Sequence, residues 1–263
     1  MKLESMDHWQ LRAALEWQVE LGADETLLDA PVNRYEMPAK PAAAVKSKKV
    51  AEPAAIVEVI GPDPAAEAKA AANQAQDLAG LERALAMYEH CELKRGARNL
   101  VFGDGNPNAR VMVIGEAPDR DEDRQGKPFV GAVGQLLDNM LAAIDMARDA
   151  TDTQQAVYVT NVLPWRPPQS HVPQASEIAM MRPFVQRHIE LVQPDIIIAM
   201  GNVACDALLG KRGITRMRGT WGDAFSTPVM PMLHPSDLLR RPEGKRDAWN
   251  DLLNIQEKLN ELK

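Results

Sequence analysis

Three short clusters in this chain carry side chains that could do chemistry. The first is Gly115-Glu116-Ala117-Pro118, followed by Glu122, Asp123, Gly126 and Pro128-Phe129-Val130-Gly131. Its glycines and prolines permit a tight loop beside a ligand. Phe129 in such a loop offers a flat face on which a base can stack, although a phenylalanine taken alone is more often core. No G-x-G-x-x-G accompanies it, so a dinucleotide fingerprint is absent. The second is Asn161, whose carboxamide sets a donor beside an acceptor and can pair with one edge of a pyrimidine. An asparagine at a strand end also commonly satisfies local backbone groups. The third is His234-Pro235-Ser236, then Leu238-Leu239-Arg240. A histidine there can stabilise charge developing on a leaving group, Ser236 can contact a phosphate, and an exposed leucine can wedge into a base stack. A lone histidine is otherwise usually structural. The other histidines, His8, His90, His171 and His188, show no metal-ligand spacing. Glu122 and Asp123, interleaved with Asp119, Arg120, Asp121 and Arg124, read as a solvated loop before a carboxylate dyad.

The elements that must position these clusters follow from the hydrophobic pattern. Apolar runs at 110–115, 156–161, 195–201 and 228–233 read as buried strands, and helical periodicity fills 77–88, 131–146, 176–192, 202–209 and 246–262. Alternation of this kind predicts an α/β fold, a three-layer α/β/α arrangement around a mainly four-stranded parallel sheet. Ligands in such sheets sit beyond the carboxyl ends of the strands. Gly115-Glu116, Thr160-Asn161 and Leu233-His234-Pro235 all lie there. Residues 76–263 form the expected domain. Residues 1–36 hold an amphipathic helix near 7–21, and 37–75 read as a Pro/Ala-rich, disordered linker.

Composition narrows the classes. The chain has 263 residues, 45% apolar and 25% charged, as in ordinary globular proteins. Net charge is −7, yet residues 211–246 hold 8 Lys/Arg against 3 Asp/Glu, a local basic stretch of the kind phosphate contact needs. No apolar run is long enough to span a membrane and no signal-peptide core opens the chain, so a cytoplasmic location is expected. Cys91 and Cys205 form no C-x-x-C pair, which excludes a disulfide framework and an all-cysteine zinc site. No heptad repeat is present, so a monomer is expected.

Together the clusters resemble the family 4, iron–sulfur type, uracil-DNA glycosylases. Residues 115–118, Glu122-Asp123, Gly126, 128–131 and Gly134-Gln135-Leu136-Leu137 look like that family's first motif. Tyr158-Val159-Thr160-Asn161-Val162 with Arg166-Pro167-Pro168 looks like its second, and 234–240 like its third. Val101-Phe102-Gly103-Asp104-Gly105 and Arg218-Gly219 match flanking signatures. The resemblance runs from about residue 87 to the C terminus. It implies hydrolysis of the N-glycosidic bond of uracil in DNA, leaving an abasic site that initiates base excision repair. It also implies a flipped base, stacked on Phe129, read by Asn161, with His234 stabilising the uracil anion. Glu116 and Glu122 stand at positions the family uses near the base and the attacking water. Ala117 stands where other glycosylase families place a water-activating aspartate. Ser236 and Arg240 would hold the DNA strand, and Leu238 would fill the vacated stack.

The sequence departs from the family where the cluster should be. The four cysteine positions are here Tyr88, Cys91, Trp165 and Met181. One thiolate cannot hold a four-iron cluster, so the 4Fe–4S cofactor expected for the family is predicted to be absent, no cofactor is required, and Cys91 is a vestigial ligand position. Asp119 and Asp237 replace a glycine and an aromatic of the family motifs and add negative charge where DNA should lie. Ser170-His171 replaces Asn-Arg; a related subclass uses a histidine near this loop to trap the sugar, but its longer basic motif is missing. These departures leave two alternatives: a repair-accessory DNA-binding protein with reduced catalysis, or excision of another deaminated base.

Overall fold

The computed structural model describes residues 63–168 and 171–262. The helix expected near 7–21, and the expected linker as far as residue 62, lie outside them.

The described chain opens with helix α1, Pro64–Gln74, and α2, Leu78–Met87. Each has an aspartate N-cap: Asp63 accepts from Ala65 N at 3.0 Å and Asp77 from Gly80 N at 2.6 Å. Helix α1 corrects the linker boundary at 75. Its composition is that of a linker, but Asp-Pro is also a helix start, and alanine is the best helix former. Ala68 and Ala72 are fully buried. The α1 C terminus is tied down by Arg187, whose Nη2 donates to Ala75 O at 2.8 Å.

Six strands follow: β1 Asp104–Gly105, β2 Val111–Gly115, β3 Val157–Asn161, β4 Ile196–Met200, β5 Gly222–Ala224 and β6 Thr227–Met232. Their order is β1-β3-β2-β4-β6-β5. The four central strands are parallel, as expected, and β1 and β5 add short antiparallel edges. Every residue of β2, β3 and β4 is buried, which is why these strands read as unbroken apolar runs.

The pleat sends alternate side chains into two separate cores. Met112, Ile114, Tyr158 and Ile197 meet α1, α2, helix α5 (Ala175–Val192) and helix α6 (Asn202–Leu209) on one face. Val111, Val113, Val159 and Ile198 meet helix α4 (Gly131–Ala142) and helix α9 (Lys245–Glu261) on the other. Two short helices complete the site loops: α3, Arg120–Gln125, after β2, and α8, Pro235–Arg240, after β6; α7, Ile214–Met217, precedes β5. Register places Gly115 opposite Asn161, so the first two clusters emerge side by side. Among the described residues no helix is long and apolar enough to cross a membrane.

Candidate active site

The ends of β2, β3 and β6 converge as the sequence anticipates. Gly115 leaves no room for a side chain: a Cβ there would overlap Asn161 Oδ1 and come within 2.7 Å of Phe129 Cζ. Phe129 and Asn161 therefore close on one another over a bare stretch of backbone. The Phe129 ring also stacks on His234, with centroids 5.5 Å apart and planes at 30°. At 1% exposure the ring offers no free face. A base can stack on it only when the His234 ring moves aside.

Asn161 is 6% exposed, and its Nδ2 is the one buried side-chain nitrogen or oxygen among the described residues that makes no well-aligned hydrogen bond, although it lies close enough to the Glu122 carboxyl to pull its pKa down. An unsatisfied buried donor costs about 1–3 kcal/mol.

Phe129 itself adopts a left-handed conformation, φ 51°, which is disfavoured for a bulky residue. Two side chains hold it. Glu122, 6% exposed, accepts from Phe129 N through Oε1 and from Asp119 N through Oε2 at 2.6 Å. From the other side, Arg148 donates to Pro128 O at 3.2 Å and Phe129 O at 3.1 Å, and is itself fixed by Asp138 at 2.7 Å. Sequence reasoning missed Arg148, which lies in a connecting segment without a motif. Both Glu122 oxygens serve the loop backbone, so Glu122 shapes the pocket and does not reach for a substrate. Burial pushes its carboxyl up to about 7, against the downward pull of the two N–H donors and a smaller one from Asn161.

His234 caps α8: its Nδ1 accepts from Ser236 N at 3.3 Å and meets Ser236 Oγ at 2.8 Å. A backbone N–H can only donate, so Nδ1 is the acceptor and the ring proton sits on Nε2. Burial pushes the His234 pKa down and keeps the ring neutral, while the nearby Glu116 carboxylate pulls it the other way. The result is a neutral imidazole with an N–H donor, suited to an oxygen that gains negative charge. Ser236, expected to hold a phosphate, has its hydroxyl engaged with His234 and orients the ring.

Glu116 lies at the end of β2, where its Oε1 accepts from Val203 N at 3.0 Å at the start of α6. Gly201, at φ 95°, admits this carboxylate; a Cβ there would collide with it. Glu116 and Ala117 line a cavity of about 360 Å³ with Asp119, Arg120, Arg166 and His171. Ala117 itself supplies no base to that wall. His171 reaches the cavity, but its Nε2 lies 3.0 Å from Glu177 Oε2; Ser170 lies outside the described residues.

Three expectations about the DNA face change. Asp119 is the N-cap of α3, accepting from Asp121 N at 2.8 Å and Glu122 N at 2.9 Å, and with Glu122 it completes a capping box. Its charge is directed at the helix terminus. Asp237 pairs with Arg240 three residues on, so the pair adds no net charge and Arg240 is partly engaged before DNA arrives. Leu238, expected as the wedge, is 1% exposed and belongs to the core beneath α8, whereas its neighbour Leu239 is 43% exposed. Adjacent residues on a helix point about 100° apart, and on a helix this short the sequence alone does not say which points out.

The four positions where the family's cluster ligands would stand form part of a single apolar core. Tyr88, Cys91, Trp165 and Met181 are 5%, 1%, 3% and 0% exposed. Tyr88 donates its hydroxyl to Pro64 O at 2.7 Å. Burial pushes the Tyr88 hydroxyl up to about 12 and raises the Cys91 thiol as well. A protonated phenol, a thioether, an indole and one thiol do not fit a four-iron cluster, and among the described residues no group of three or more His, Cys, Asp or Glu could hold a metal ion.

Comparison with known proteins agrees with the geometry. The family model described as the uracil DNA glycosylase superfamily matches residues 102–253. The chain is similar to a type-4 uracil-DNA glycosylase of Archaeoglobus fulgidus, 33% identical over 193 residues, covering 69% of this chain and 93% of that one. It is 37% identical over 153 residues to a type-4 enzyme of Thermotoga maritima, covering 57% and 77%. A type-5 uracil-DNA glycosylase of Pyrobaculum aerophilum is 31% identical over 146 residues, covering 51% and 64%. The family match spans the loops that bring Phe129, Asn161 and His234 together, and the chain belongs to the uracil DNA glycosylase superfamily.

Proposed function

We propose that the protein hydrolyses the N-glycosidic bond between uracil and deoxyribose in DNA, leaving an abasic site for base excision repair. The observation that carries this reading is Asn161 Nδ2, buried beside Phe129 and His234 without a well-aligned partner. A donor there suits the O4 carbonyl of uracil, with the Oδ1 of the same amide to accept from N3–H. Cytosine presents an amino donor at the same place, and two donors facing each other in a buried site are costly.

The uracil is flipped out of the stack and displaces the His234 ring from Phe129. The C1′–N1 bond breaks with its electron pair leaving on the base. Negative charge develops on uracil O2, where His234 Nε2–H donates to it. Water adds to the cationic C1′ and gives one proton to solvent, which protonates the departing uracil anion, so the products are neutral uracil and the abasic sugar. The Glu116 carboxylate acts electrostatically on His234. Leu239 takes the stack-filling role that Leu238 cannot.

We also propose that the domain folds and works as a monomer without a 4Fe–4S cluster. The packed corner around Cys91 supports the cluster-free part of this reading. Asp119 and Asp237 have structural partners, which removes the basis for expecting weakened DNA binding and favours a working enzyme over an accessory protein.

Alkaline cleavage of oligonucleotides carrying uracil, hypoxanthine or xanthine tests the reading. The expected result is strand scission at uracil, none at cytosine, and cytosine cleavage gained in Asn161→Asp, whose carboxylate can accept from the amino group. Binding without cleavage on every substrate would overturn it.

A further inference from the structure

Helices α4, α8 and α9 leave a groove of about 200 Å³ between them. Its walls are Leu136, Met140, Leu238, Ala248, Trp249 and Leu252. Three of the large apolar side chains that the described surface exposes gather on α8 and α9: Leu239 at 43%, Trp249 at 42% and Leu253 at 40%. Trp249 and Leu253 stand one helical turn apart on α9 and share a face. An indole held half out of water beside an apolar slot is costly for a protein with nothing to place there.

The charge around the groove is basic. Arg240 and Arg241 end α8, and Lys245 and Arg246 begin α9; Lys245 itself lines the groove. Of the three acidic residues between 237 and 247, Asp237 is paired with Arg240 and Asp247 lies 3.5 Å from Arg218, while the exposed Glu243 between Arg241 and Lys245 offsets one positive charge and leaves the stretch net basic. An aromatic face beside cationic side chains is the combination that takes a nucleotide, the base stacking and the phosphate pairing. The groove also shares one element with the base pocket. Leu238 forms its wall from the same short helix that His234 caps.

On the reading of the pocket as a site for a DNA base, we infer that this groove is a second nucleotide subsite. It seats the base of a nucleotide flanking the flipped uracil, stacked on Trp249, with the adjoining phosphate held by Lys245 and Arg241. A paired base cannot leave the duplex stack without breaking its pairing, so the subsite favours unpaired DNA. It extends the footprint on single strands and on frayed ends.

Two measurements on the full chain test this. One is the anisotropy of fluorescent uracil-containing oligonucleotides, single- and double-stranded. The other is excision kinetics on single strands of increasing length. Trp249→Ala should weaken single-strand binding about 10-fold, within the range of one base–aromatic stack, and raise KM with kcat unchanged. Its duplex affinity should change far less. Trp249→Phe should restore most of the loss, and Lys245→Ala should lower the salt dependence of binding. Long strands should lose their advantage over short ones in Trp249→Ala. Equal losses on single and double strands, or no loss while the thermal midpoint stays at the wild-type value, would overturn the subsite; the latter would leave an apolar, acidic peptide as its occupant. If the wild-type chain excises nothing, the reading of the pocket fails, while the anisotropy arm still decides the groove.

Discussion

The base pocket and the buried corner around Cys91 treat polar groups in opposite ways. The pocket keeps features that cost stability: a donor with no well-aligned partner at Asn161 Nδ2, a phenylalanine at φ 51°, and a buried carboxyl at Glu122 pushed up to about 7. The corner keeps none. Tyr88 has its hydrogen bond to Pro64 O, and Trp165 and Met181 bring no polar atom in need of burial beyond the indole N–H. Both regions are buried in the same domain. Strain and unsatisfied groups survive where a ligand can relieve them, and side chains with no ligand to hold settle into ordinary packing.

The sharpest way to break this contrast is to remove the costly groups. His234→Ala or Asn161→Ala should lower kcat for uracil excision by roughly 10²–10³, the scale of losing one aligned donor. Asn161→Ala should leave the unfolding free energy within about 1 kcal/mol, because the lost amide nitrogen makes no well-aligned hydrogen bond. A large drop in stability with activity kept would assign Asn161 to the scaffold. Leu238→Ala and Leu239→Ala separate the two leucines of α8. The first should cost roughly 2–5 kcal/mol in urea unfolding as a core truncation, and the second should spare stability and weaken retention of uracil-containing duplex.

Glu122 gives the contrast a pH dependence. Its folded pKa, about 7, lies above the ordinary 4.5, so the folded protein holds a proton that the unfolded chain releases. That contribution is complete below pH 4.5 and is lost as pH rises through 7. Relative to Glu122→Gln, wild-type stability should therefore fall by up to about 3 kcal/mol between those values and stay level above them. Parallel stability curves for the two proteins would show that the carboxyl is ionised throughout. The smallest effect belongs to the corner. Cys91→Ala should cost about 1 kcal/mol, and both proteins, purified without oxygen, should be colourless and free of iron by elemental analysis. Stoichiometric iron and a brown colour would undo the comparison.

Much of this architecture was legible in the residues. The central strands announce themselves because burial on both faces demands continuous apolar runs, as in Ile196–Met200. The edges β1 and β5 do not, since two or three residues carry no period. Helix α1 hid behind its alanines, although Asp63-Pro64 marked its start. Asp119 and Glu122 displayed a capping-box spacing that was readable in advance, yet charge drew attention away from it. Leu238 and Leu239 could be told apart only by the packing of α8 on the core. Arg148 could not be found from sequence, because its partners are backbone carbonyls 19 and 20 residues away.

The sealed corner also bears on how the protein comes into being. On the cluster-free reading, a newly made chain needs no delivery of iron or sulfide and matures at the pace of folding alone. Oxidants that dismantle clusters meet only a buried thiol whose pKa lies above the usual value, and a thiol is far less reactive than a thiolate. The supply of active protein would then stay steady through iron starvation and oxidative stress.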